Sequence, residues 1–398
     1  MSISTINKQA FKIFDKVGFP DPKHEDWKYT NLNKFHSCQF SKSDNYTISN
    51  EYKNNFYDYD KIITINGKPK IDLNHDKISI DYISNVLVNN SSDNTNLFTI
   101  NDKDYNNPFL ILNTAHFSDG IYIKIPENVF LDDPIYLLSI CDDNNLKSSY
   151  SRLYIDAQKN SEIKIIHHHI GAKKQKYYRN NATFINAKEN SNVFFTNIYE
   201  ESEESFSMNN LIINQRCNSQ IDMQNFLIKS GFFRSSIRGN LNGKGSSIAI
   251  DGLFLGDKNQ FIDNNIIINH NKAQTESKVI YKGILDDYAN AVFNGLINVP
   301  FQSKHINSDQ KNHNIILSKT AKVNSNPKLK ISCDDVKCSH GSTMGNLDKD
   351  ALFYLRSRGI ELEKSKKILL NSFMNEIIEK VSFVDIKNYL EKKISDLN

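Results

Sequence analysis

The sequence predicts a mainly β protein in which a long run of short strands, arranged as a solenoid, is flanked by helical ends. Between about residues 105 and 336, β-rich runs recur at intervals of roughly 10 to 18 residues, and no convincing helical period interrupts them. This spacing is compatible with a β-sandwich, a barrel or a β-helix. The chain of 398 residues has only 15 Gly and 8 Pro, which are the residues that tight hairpins usually need. Together with the length of the region, this scarcity favours the solenoid.

The composition excludes several classes of function. Lys plus Arg number 49 and Asp plus Glu number 46, and the net charge of +3 is too small to make a nucleic acid the expected partner. The apolar runs are far shorter than the ~20 residues of a membrane span, so no membrane partner is expected. Asn is abundant, but codon bias explains this equally well, and we give it no weight as a turn marker.

The five cysteines are an odd and scattered set that predicts no disulfide framework. The first residues are polar and include Lys8, where a signal peptide would need a continuous apolar stretch. We therefore expect a reducing, cytoplasmic location.

Residues 1–104 are predicted to form an N-terminal segment of helical and mixed structure. Phe11, Phe14 and Val17 have helical spacing, and Gly18 follows as a stop signal. These residues predict a short amphipathic helix with the three apolar side chains on its buried face.

A hairpin is predicted further along the same segment. Asn66 and Gly67 lie between two short β-rich runs, and this pair is typical of a turn with positive φ at both positions. The polar stretch 85–106 is predicted to be a flexible join to the core.

Residues 105–342 are the predicted β core. Alternate side chains of a strand point to opposite faces, so apolar residues at i and i+2 mark the face that points into the core. Such pairs are Ile121 and Ile123, Leu153 and Ile155, Ile163 and Ile165, Leu211 and Ile213, Ile248 and Ile250, and Val279 and Tyr281.

Residues 343–398 are the predicted C-terminal helical module. Asp348 can cap a first helix, which Gly359 ends; a second helix begins near Glu361, and Ser382 can cap a third. The apolar positions of the second and third helices are Leu369, Phe373, Ile377, Val381, Ile386, Leu390 and Ile394. Each helix has one apolar face, so the three helices are expected to pack on another part of the molecule.

Thiol and imidazole groups cluster at the junction between the β core and the helices. Cys333, Cys338 and His340 are side chains of the type that binds zinc, copper or iron–sulfur species. Their spacing matches no closed zinc motif, and a Rieske site needs a second Cys-and-His pair. The residues alone therefore favour two core cysteines and a hydrogen-bonded histidine over a self-sufficient metal site.

Three consecutive histidines, His167, His168 and His169, lie in a predicted strand. Alternation places His167 and His169 on one face and His168 on the other. Because no third ligand is identifiable, a polar strand face is favoured over a metal site. The chain also has no nucleophile-elbow, phosphate-loop, dinucleotide-binding or zinc-protease motif, so no enzymatic activity is predicted.

Several motifs of the chain resemble those of the SufB/SufD family of iron–sulfur cluster assembly proteins. The C-terminal signature is the longest of them, and the resemblance covers most of the chain and is weakest between residues 35 and 105. The motifs are HEDWKYT at 24–30, SKVIYKG at 277–283, VFNG at 292–295, NIILS at 314–318, DDVKCSHGSTMG at 334–345 and LFYLRSRGI at 352–360.

Within that family the chain is more similar to the SufD branch than to the SufB branch, because it is short and carries the sequence SRG at 357–359. The resemblance implies a right-handed parallel β-helix and a non-enzymatic scaffold in a complex of SufB, SufD and two copies of the ATPase SufC. It also implies a transient iron–sulfur cluster shared with SufB. His340 would be the counterpart of a SufB cysteine, and Cys338 is either a ligand or a structural residue. Cys333 lies outside the family pattern.

The resemblance further implies that SufC binds the C-terminal helical module. The contact candidates are Phe353, Tyr354, Arg356 and Arg358, although the two aromatic side chains could instead pack internally. Complexes of the family are associated with reduced flavin, for which no residue is identified. The sequence leaves open whether the chain forms a homodimer when SufB is absent.

Two alternative functions are weighed against the scaffold. A SufB-like paralogue would itself nucleate the cluster, but no nucleating cysteine is matched. A stand-alone β-helix enzyme acting on carbohydrate would need clustered carboxylates on one face and an export signal, and neither is evident.

Overall fold

The computed structural model describes residues 2–21, 23–44, 59–89, 107–142 and 146–395. Its described part is mainly β, with a parallel β-solenoid core, an N-terminal helical segment and C-terminal helices. None of the helices in this described part is long and apolar enough to cross a membrane.

The helices and strands follow one another along the chain as the sequence predicts in outline. The helices are α1 Ile3–Val17, α2 Asn33–His36, α3 Ile83–Asn89, α4 Pro108–His116, α5 Lys349–Ser357, α6 Leu362–Ile378 and α7 Val384–Ser395, with a 3-10 turn at Glu25–Trp27. The strands before the regular solenoid are β1 Ser41–Lys42, β2 Lys61–Ile65, β3 Lys68–Lys70, β4 Ser79–Tyr82, β5 Ile121–Ile125 and β6 Ile135–Cys141. The solenoid strands are β7 Lys147–Ala157, β8 Glu162–Gly171, β9 Tyr177–Ala187, β10 Asn192–Glu200, β11 Phe206–Gln215, β12 Gln220–Lys229, β13 Phe232–Leu241, β14 Ser247–Gly256, β15 Phe261–His270, β16 Glu276–Leu285, β17 Asn290–Val299, β18 Ile306–Ile316, β19 Lys322–Ile331 and β20 Val336–Gly345.

Successive strands alternate between two sheets, which is the topology of a solenoid. Odd-numbered strands from β5 to β19 pair in parallel in sheet A, and even-numbered strands from β6 to β20 pair in parallel in sheet B. Each coil contributes one strand to each sheet, so paired residues lie about one coil apart, as Ile306 and Val336 do. The prediction of a solenoid is confirmed.

The core lies between the two sheets. All the apolar i, i+2 pairs that the sequence identifies have their side chains in one continuous interior cluster. Most of this cluster is Ile, Leu, Val and Phe, the residues expected of strands that are buried on the inside. Strand alternation alone therefore locates the interior.

The turns between coils use asparagine where glycine would be expected. Asn128, Asn160, Asn190 and Asn218 all have positive φ, between 54° and 62°. Their side chains form a ladder, in which Asn160 donates to Asn128 at 2.9 Å and Asn190 donates to Asn160 at 2.9 Å. Asparagine tolerates this left-handed backbone better than other residues with a side chain. Asparagine therefore marks a turn at these four positions, whereas Lys174, Lys258 and Asp287 take the left-handed backbone at other turns. Other asparagines, such as Asn180, lie within strands.

The N-terminal helix forms as predicted, but its buried face differs. Gly18 has a φ of 67° and its N–H bonds to the carbonyl oxygen of Phe14, as a glycine stop does. The fully buried residues are Ile6 and Ala10, whereas Phe11 is exposed. The small Ala10 lets α1 pack closely on α4.

Helix α4 contradicts the prediction of an uninterrupted strand region after residue 105. Every residue of α4 from Pro108 to Ala115 is buried. A helix that is covered on all sides shows no apolar and polar period, so a search for periodicity does not find it.

The predicted hairpin is confirmed. Strands β2 and β3 pair antiparallel, and Asn66 and Gly67 have φ of 50° and 82°. The polar join is corrected in its first part, because α3 occupies Ile83–Asn89. Residues 90–106 of that predicted join lie outside the described residues.

The C-terminal helices begin and end close to the predicted positions. Asp348 caps α5, and Gly359 follows it with a φ of 84°. Helix α7 buries Ile386, Leu390 and Ile394, as predicted. Helix α6 is rotated from the predicted face. Its fully buried apolar residues are Leu370, Met374, Ile377 and Ile378, while Leu369 and Phe373 are half-buried.

Candidate functional site

The two sheets end together in two long edge strands, which we call the open end of the solenoid. Strand β19 is the last strand of sheet A and β20 the last of sheet B, and each pairs on one side only within the described part of the chain. Strand β20 is mostly exposed, unlike the strands that precede it. A long unpaired edge is a template for pairing with another chain unless something covers it.

Cys338 and His340 lie on this last strand and point along the same line. Cys338 is paired in register with Ser308 and His340 with Gln310, which are interior residues of the preceding coil. Because no coil follows, His340 is exposed and Cys338 is half-buried against the core. Burial raises the pKa of the Cys338 thiol. The structure therefore brings together, on one line, the two residues that the sequence identifies as candidate ligands.

The interior layer beneath these residues is polar. Strand β18 directs Ser308, Gln310, Asn312 and Asn314 inward, and all four are buried. Ser308 and Ser277 hydroxyls lie 2.7 Å apart, and Ser277 is 2.9 Å from Nε2 of a buried histidine of β15. Polar side chains in a solenoid core are costly unless they are hydrogen-bonded. The layer therefore gives the open end a polar interior surface, although an earlier coil also has the polar interior residues His167 and His169.

This chain offers few side chains that could bind a metal ion at the open end. Among the described residues, no three His, Cys, Asp or Glu side chains are close enough to hold a metal ion. Cys333, which precedes β20, is buried in the core. A metal held at Cys338 and His340 would therefore need further ligands from elsewhere.

Three of the predicted partner-binding residues lie on helix α5, which has no buried residue, and the fourth, Arg358, follows the helix directly. Phe353 is 75% exposed and Tyr354 is 58% exposed, so neither aromatic side chain is used for internal packing. Arg356 and Arg358 are exposed too, and the Arg358 guanidinium lies 5.3 Å from the centre of the Tyr354 ring. Exposed aromatic and arginine side chains in one patch are typical of protein interfaces.

Charged groups attach the C-terminal helices to the outer face of sheet B. Lys282 of β16 is buried; it donates to the carbonyl oxygen of Phe373 at 3.0 Å and pairs with Glu376 of α6. Lys380, just after α6, pairs with the buried Asp251 of β14 at 2.6 Å. These contacts link the helical module to strands that lead towards β20.

Glu200 of β10 forms the third attachment. Its carboxylate pairs with Lys393 of α7 at 2.7 Å, lies 3.1 Å from Nε2 of His168, and accepts a hydrogen bond from Tyr389. Burial favours the neutral carboxyl group, but these hydrogen bonds and charges outweigh it and lower the pKa of Glu200 to about 2.

The three histidines divide between two environments, as strand alternation predicts. His167 and His169 face the interior, where their rings are 3.9 Å apart, and His168 faces the helices. Burial lowers the pKa of His167 to about 3, so the ring is neutral at physiological pH. Its Nε2 lies 2.8 Å from the Ser139 hydroxyl. These residues serve packing and the attachment of α7.

The tryptophan motif at 24–30 anchors the N-terminal segment, a role that the sequence did not reveal. Trp27 is buried, and the Arg234 guanidinium stacks on its ring at 3.7 Å. Arg234 also pairs with the buried Asp263, which accepts a hydrogen bond from Thr30. The partners come from β13 and β15, over two hundred residues away, so only the fold reveals them.

Two glycines of the central motifs provide space inside the core. A Cβ at Gly283 would lie 2.3 Å from the Phe254 ring, and one at Gly295 would lie 2.4 Å from the Gln310 amide nitrogen. Both distances are shorter than real Cβ contacts, so a side chain at Gly283 would overlap the Phe254 ring and one at Gly295 would require the Gln310 amide to move. The motifs SKVIYKG and VFNG therefore contain glycine for packing reasons.

Comparison with known proteins covers nearly the whole chain. Residues 139–373 match the sequence model of the family described as "SUF system FeS cluster assembly, SufBD core domain", and residues 2–137 match the "SufBD protein N-terminal region". The chain belongs to the SufBD family. Members of this family function in iron–sulfur cluster assembly.

Individual relatives agree with this assignment. The chain is 27% identical to the iron–sulfur cluster assembly protein SufD of Escherichia coli, over 95% of this chain and 89% of that protein. It is 26% identical to a SufBD family protein of Synechocystis, over 98% of this chain and 90% of that protein. It is also similar to SufD of Bacillus subtilis, at 23% identity over 70% of this chain and 64% of that protein.

Proposed function

We propose that this chain is a non-enzymatic, SufD-like scaffold that pairs with a SufB-like paralogue through its open end, so that a cluster forms between the two chains. The observation that carries the proposal is the position of Cys338 and His340 on the uncovered strand β20. The iron–sulfur cluster is cargo, which is built and then passed on.

The chemistry of the two side chains supports a shared site. Thiolate and imidazole both bind the iron of such clusters, and a cluster needs about four protein ligands. This chain offers two of them on one line, and the paralogue would supply the others. Because burial raises the pKa of the Cys338 thiol, iron must displace its proton, and occupancy would fall as the pH is lowered.

A SufC-like ATPase would bind helix α5 through Phe353, Tyr354, Arg356 and Arg358. Movement of that subunit would reach the solenoid through the attachment of α6 to Lys282, since strand β16 is separated from β20 only by β18. The ATP-driven movement and the sulfur chemistry would then be carried out by the partner subunits. We assign no residue of this chain to the reduced flavin that is associated with family complexes.

The cellular location of the chain, and its state when the paralogue is absent, follow from the same proposal. All five cysteines are free thiols, which supports a reducing, cytoplasmic compartment. When the paralogue is absent, the open end would pair with a second copy of this chain and form a homodimer.

The proposal is tested by expressing the chain together with its SufB and SufC counterparts and purifying the complex without oxygen. The variant His340→Ala should leave the stoichiometry unchanged and lose most of the bound iron and sulfide. His305→Ala is the matched control, because His305 is also exposed near the open end and pairs, among the described residues, with Asp335 alone, at 3.0 Å. A cluster that persists in His340→Ala would contradict the shared site.

A further inference from the structure

The interior side chains that stack, coil by coil, beneath His340 form a column that is apolar in the earlier coils and polar in the last one. From coil to coil, this column consists of Ile165, Phe195, Met223, Ile250, Val279 and finally Gln310, above which lies His340. Five apolar side chains are thus followed by one amide. A further apolar residue would have continued the core at a lower cost, because a buried amide has to be desolvated.

The Gln310 amide is buried and has no hydrogen-bond partner. The residue is 0% exposed, and neither Oε1 nor Nε2 is bonded to any of the residues that the structure describes. The amide lies against Gly295 of β17, where any side chain would overlap it. The fold therefore contains a buried polar side chain to which it provides no hydrogen bond, although most buried polar groups in proteins are hydrogen-bonded.

The rest of the layer meets most of its own hydrogen-bonding needs. Asn312 donates to the carbonyl oxygen of Tyr281 at 3.2 Å and accepts from Asn314 at 2.7 Å and from Ser325 at 2.8 Å. Of the side-chain atoms of Asn312, Asn314 and Ser325, only Oδ1 of Asn314 lacks a hydrogen-bond partner among the described residues. The unmet polarity of the layer is thus greatest at Gln310, directly beneath His340.

We propose that Gln310 belongs to the cluster site, where its amide N–H donates a hydrogen bond to a sulfur atom of the cluster held at His340. This inference rests on the proposed function. Adjacent strands lie about 4.8 Å apart, so an amide that turns from Gly295 towards the open end spans one layer. The sulfur atoms of a cluster carry negative charge, and hydrogen bonds to them stabilise the cluster and adjust its reduction potential. In this role Gln310 binds the cargo without being a ligand of iron.

The proposal predicts opposite effects on the chain alone and on the complex. The variant Gln310→Met replaces the amide by an apolar, unbranched side chain of similar length. The chain alone should melt at a higher temperature, since a buried group without a partner is removed. In the anaerobic complex, the cluster should be lost to a chelator about fivefold faster than from the wild type. Its visible absorption or reduction potential should shift, and the stoichiometry should stay the same.

The control is Gln215→Met. Gln215 is equally buried, but its Nε2 donates to the carbonyl oxygens of Ser219 and Ser247, at 3.1 and 2.7 Å, well away from the open end. This variant should melt at a lower temperature and leave the cluster unchanged. Gln310→Glu provides a second test, because it keeps the length but replaces the amide nitrogen by an oxygen that has no N–H to donate, so the cluster should again be lost to the chelator faster than from the wild type.

Each outcome distinguishes the inference from the proposed function. If Gln310→Met leaves the cluster's lifetime and spectrum unchanged while His340→Ala loses it, the inference is overturned and the shared site stands. If neither variant affects the cluster, both are overturned. If the Gln310 variants no longer assemble with the paralogue, the amide contacts the partner chain and the proposed bond to the cluster is wrong.

Discussion

The two ends of the solenoid are built differently. At the N-terminal end, the sheets finish in the short antiparallel strands β3 and β4, of three and four residues. Strand β3 reads Lys-Pro-Lys, and lysine and proline are residues that prevent further pairing at a sheet edge. At the C-terminal end, the sheets finish in two strands of ten residues. Strand β19 also contains a proline and three lysines, whereas β20 has no proline and a single lysine, Lys337. The N-terminal end stops the growth of both sheets, and at the C-terminal end the edge of sheet B is left ready to extend.

Two groups of side chains in the later coils differ in the same way. The N-terminal segment is fixed to the solenoid by the buried group of Trp27, Arg234 and Asp263. The candidate ligands lie on an exposed strand above a layer whose polar groups are not all satisfied. The buried group on β13 and β15 thus contributes stability, whereas the exposed strand β20 leaves its side chains available for binding.

The largest effect is expected from placing charge on the open end. In the double variant Ser342→Lys and Met344→Lys, two ammonium groups would be buried without partners on contact with the paralogue. We expect complete loss of the complex in size-exclusion chromatography with light scattering, with little change in the melting temperature of the chain alone. Ser79→Lys, which adds charge on the exposed residue of β4 at the N-terminal end, is the control and should still assemble. If the double variant still assembled, the open end would not be the surface that binds the paralogue.

Next in size is the loss of the N-terminal anchor. Asp263→Ala leaves the Arg234 guanidinium buried without its partner, which should lower the free energy of unfolding by about 3–5 kcal/mol. Denaturant titration measures the change. Glu189→Ala removes an exposed partner of Lys159 and should cost less than about 1 kcal/mol. Equal costs in the two variants would contradict the role given to the anchor.

The attachment of the C-terminal helices predicts a pH dependence. The pKa of Glu200 is lowered from 4.5 to about 2, so its ionised form stabilises the fold fully above pH 4.5, and this contribution is lost as the pH falls towards 2. We expect a loss of roughly 1–3 kcal/mol over this range for the wild type. The variant Glu200→Gln should be less stable at pH 7, and its stability should fall less over the same range. A parallel pH profile for the two proteins would show that Glu200 is not responsible.

The smallest effect is expected at the ATPase contact. Phe353→Ser and Tyr354→Ser should each weaken binding of the SufC counterpart by about 1–2 kcal/mol, measured by calorimetry, without altering the melting temperature. Val384→Ser is the matched control, because Val384 is a 68% exposed apolar residue of the same module. Equal weakening by Val384→Ser would remove the assignment of α5 as the contact.

Much of the fold could be predicted from the sequence because it depends on local periods. Alternation locates the interior from Ile163 and Ile165, and the same rule correctly separates His168 from its two neighbours. The turn at Asn66 and Gly67 follows from backbone chemistry alone. These signals are contained within a few residues of chain.

What the sequence could not show depends on distant contacts. Helix α4 was missed because it is buried all round, and the partners of Trp27 were missed because they come from other coils. Gln310 is unremarkable in the sequence and becomes informative only when its column is seen to be apolar up to that layer. The candidate ligands were identified from a motif, but their position at an uncovered end came from the topology.

Hydrogen–deuterium exchange on the chain alone and in complex with its SufB counterpart tests the central claim most directly. We expect the amides of β19 and β20 to become protected in the complex, while those of β3, at the other end, stay unchanged. Unchanged exchange in β19 and β20 in a stable complex, or protection confined to β3, would contradict the account.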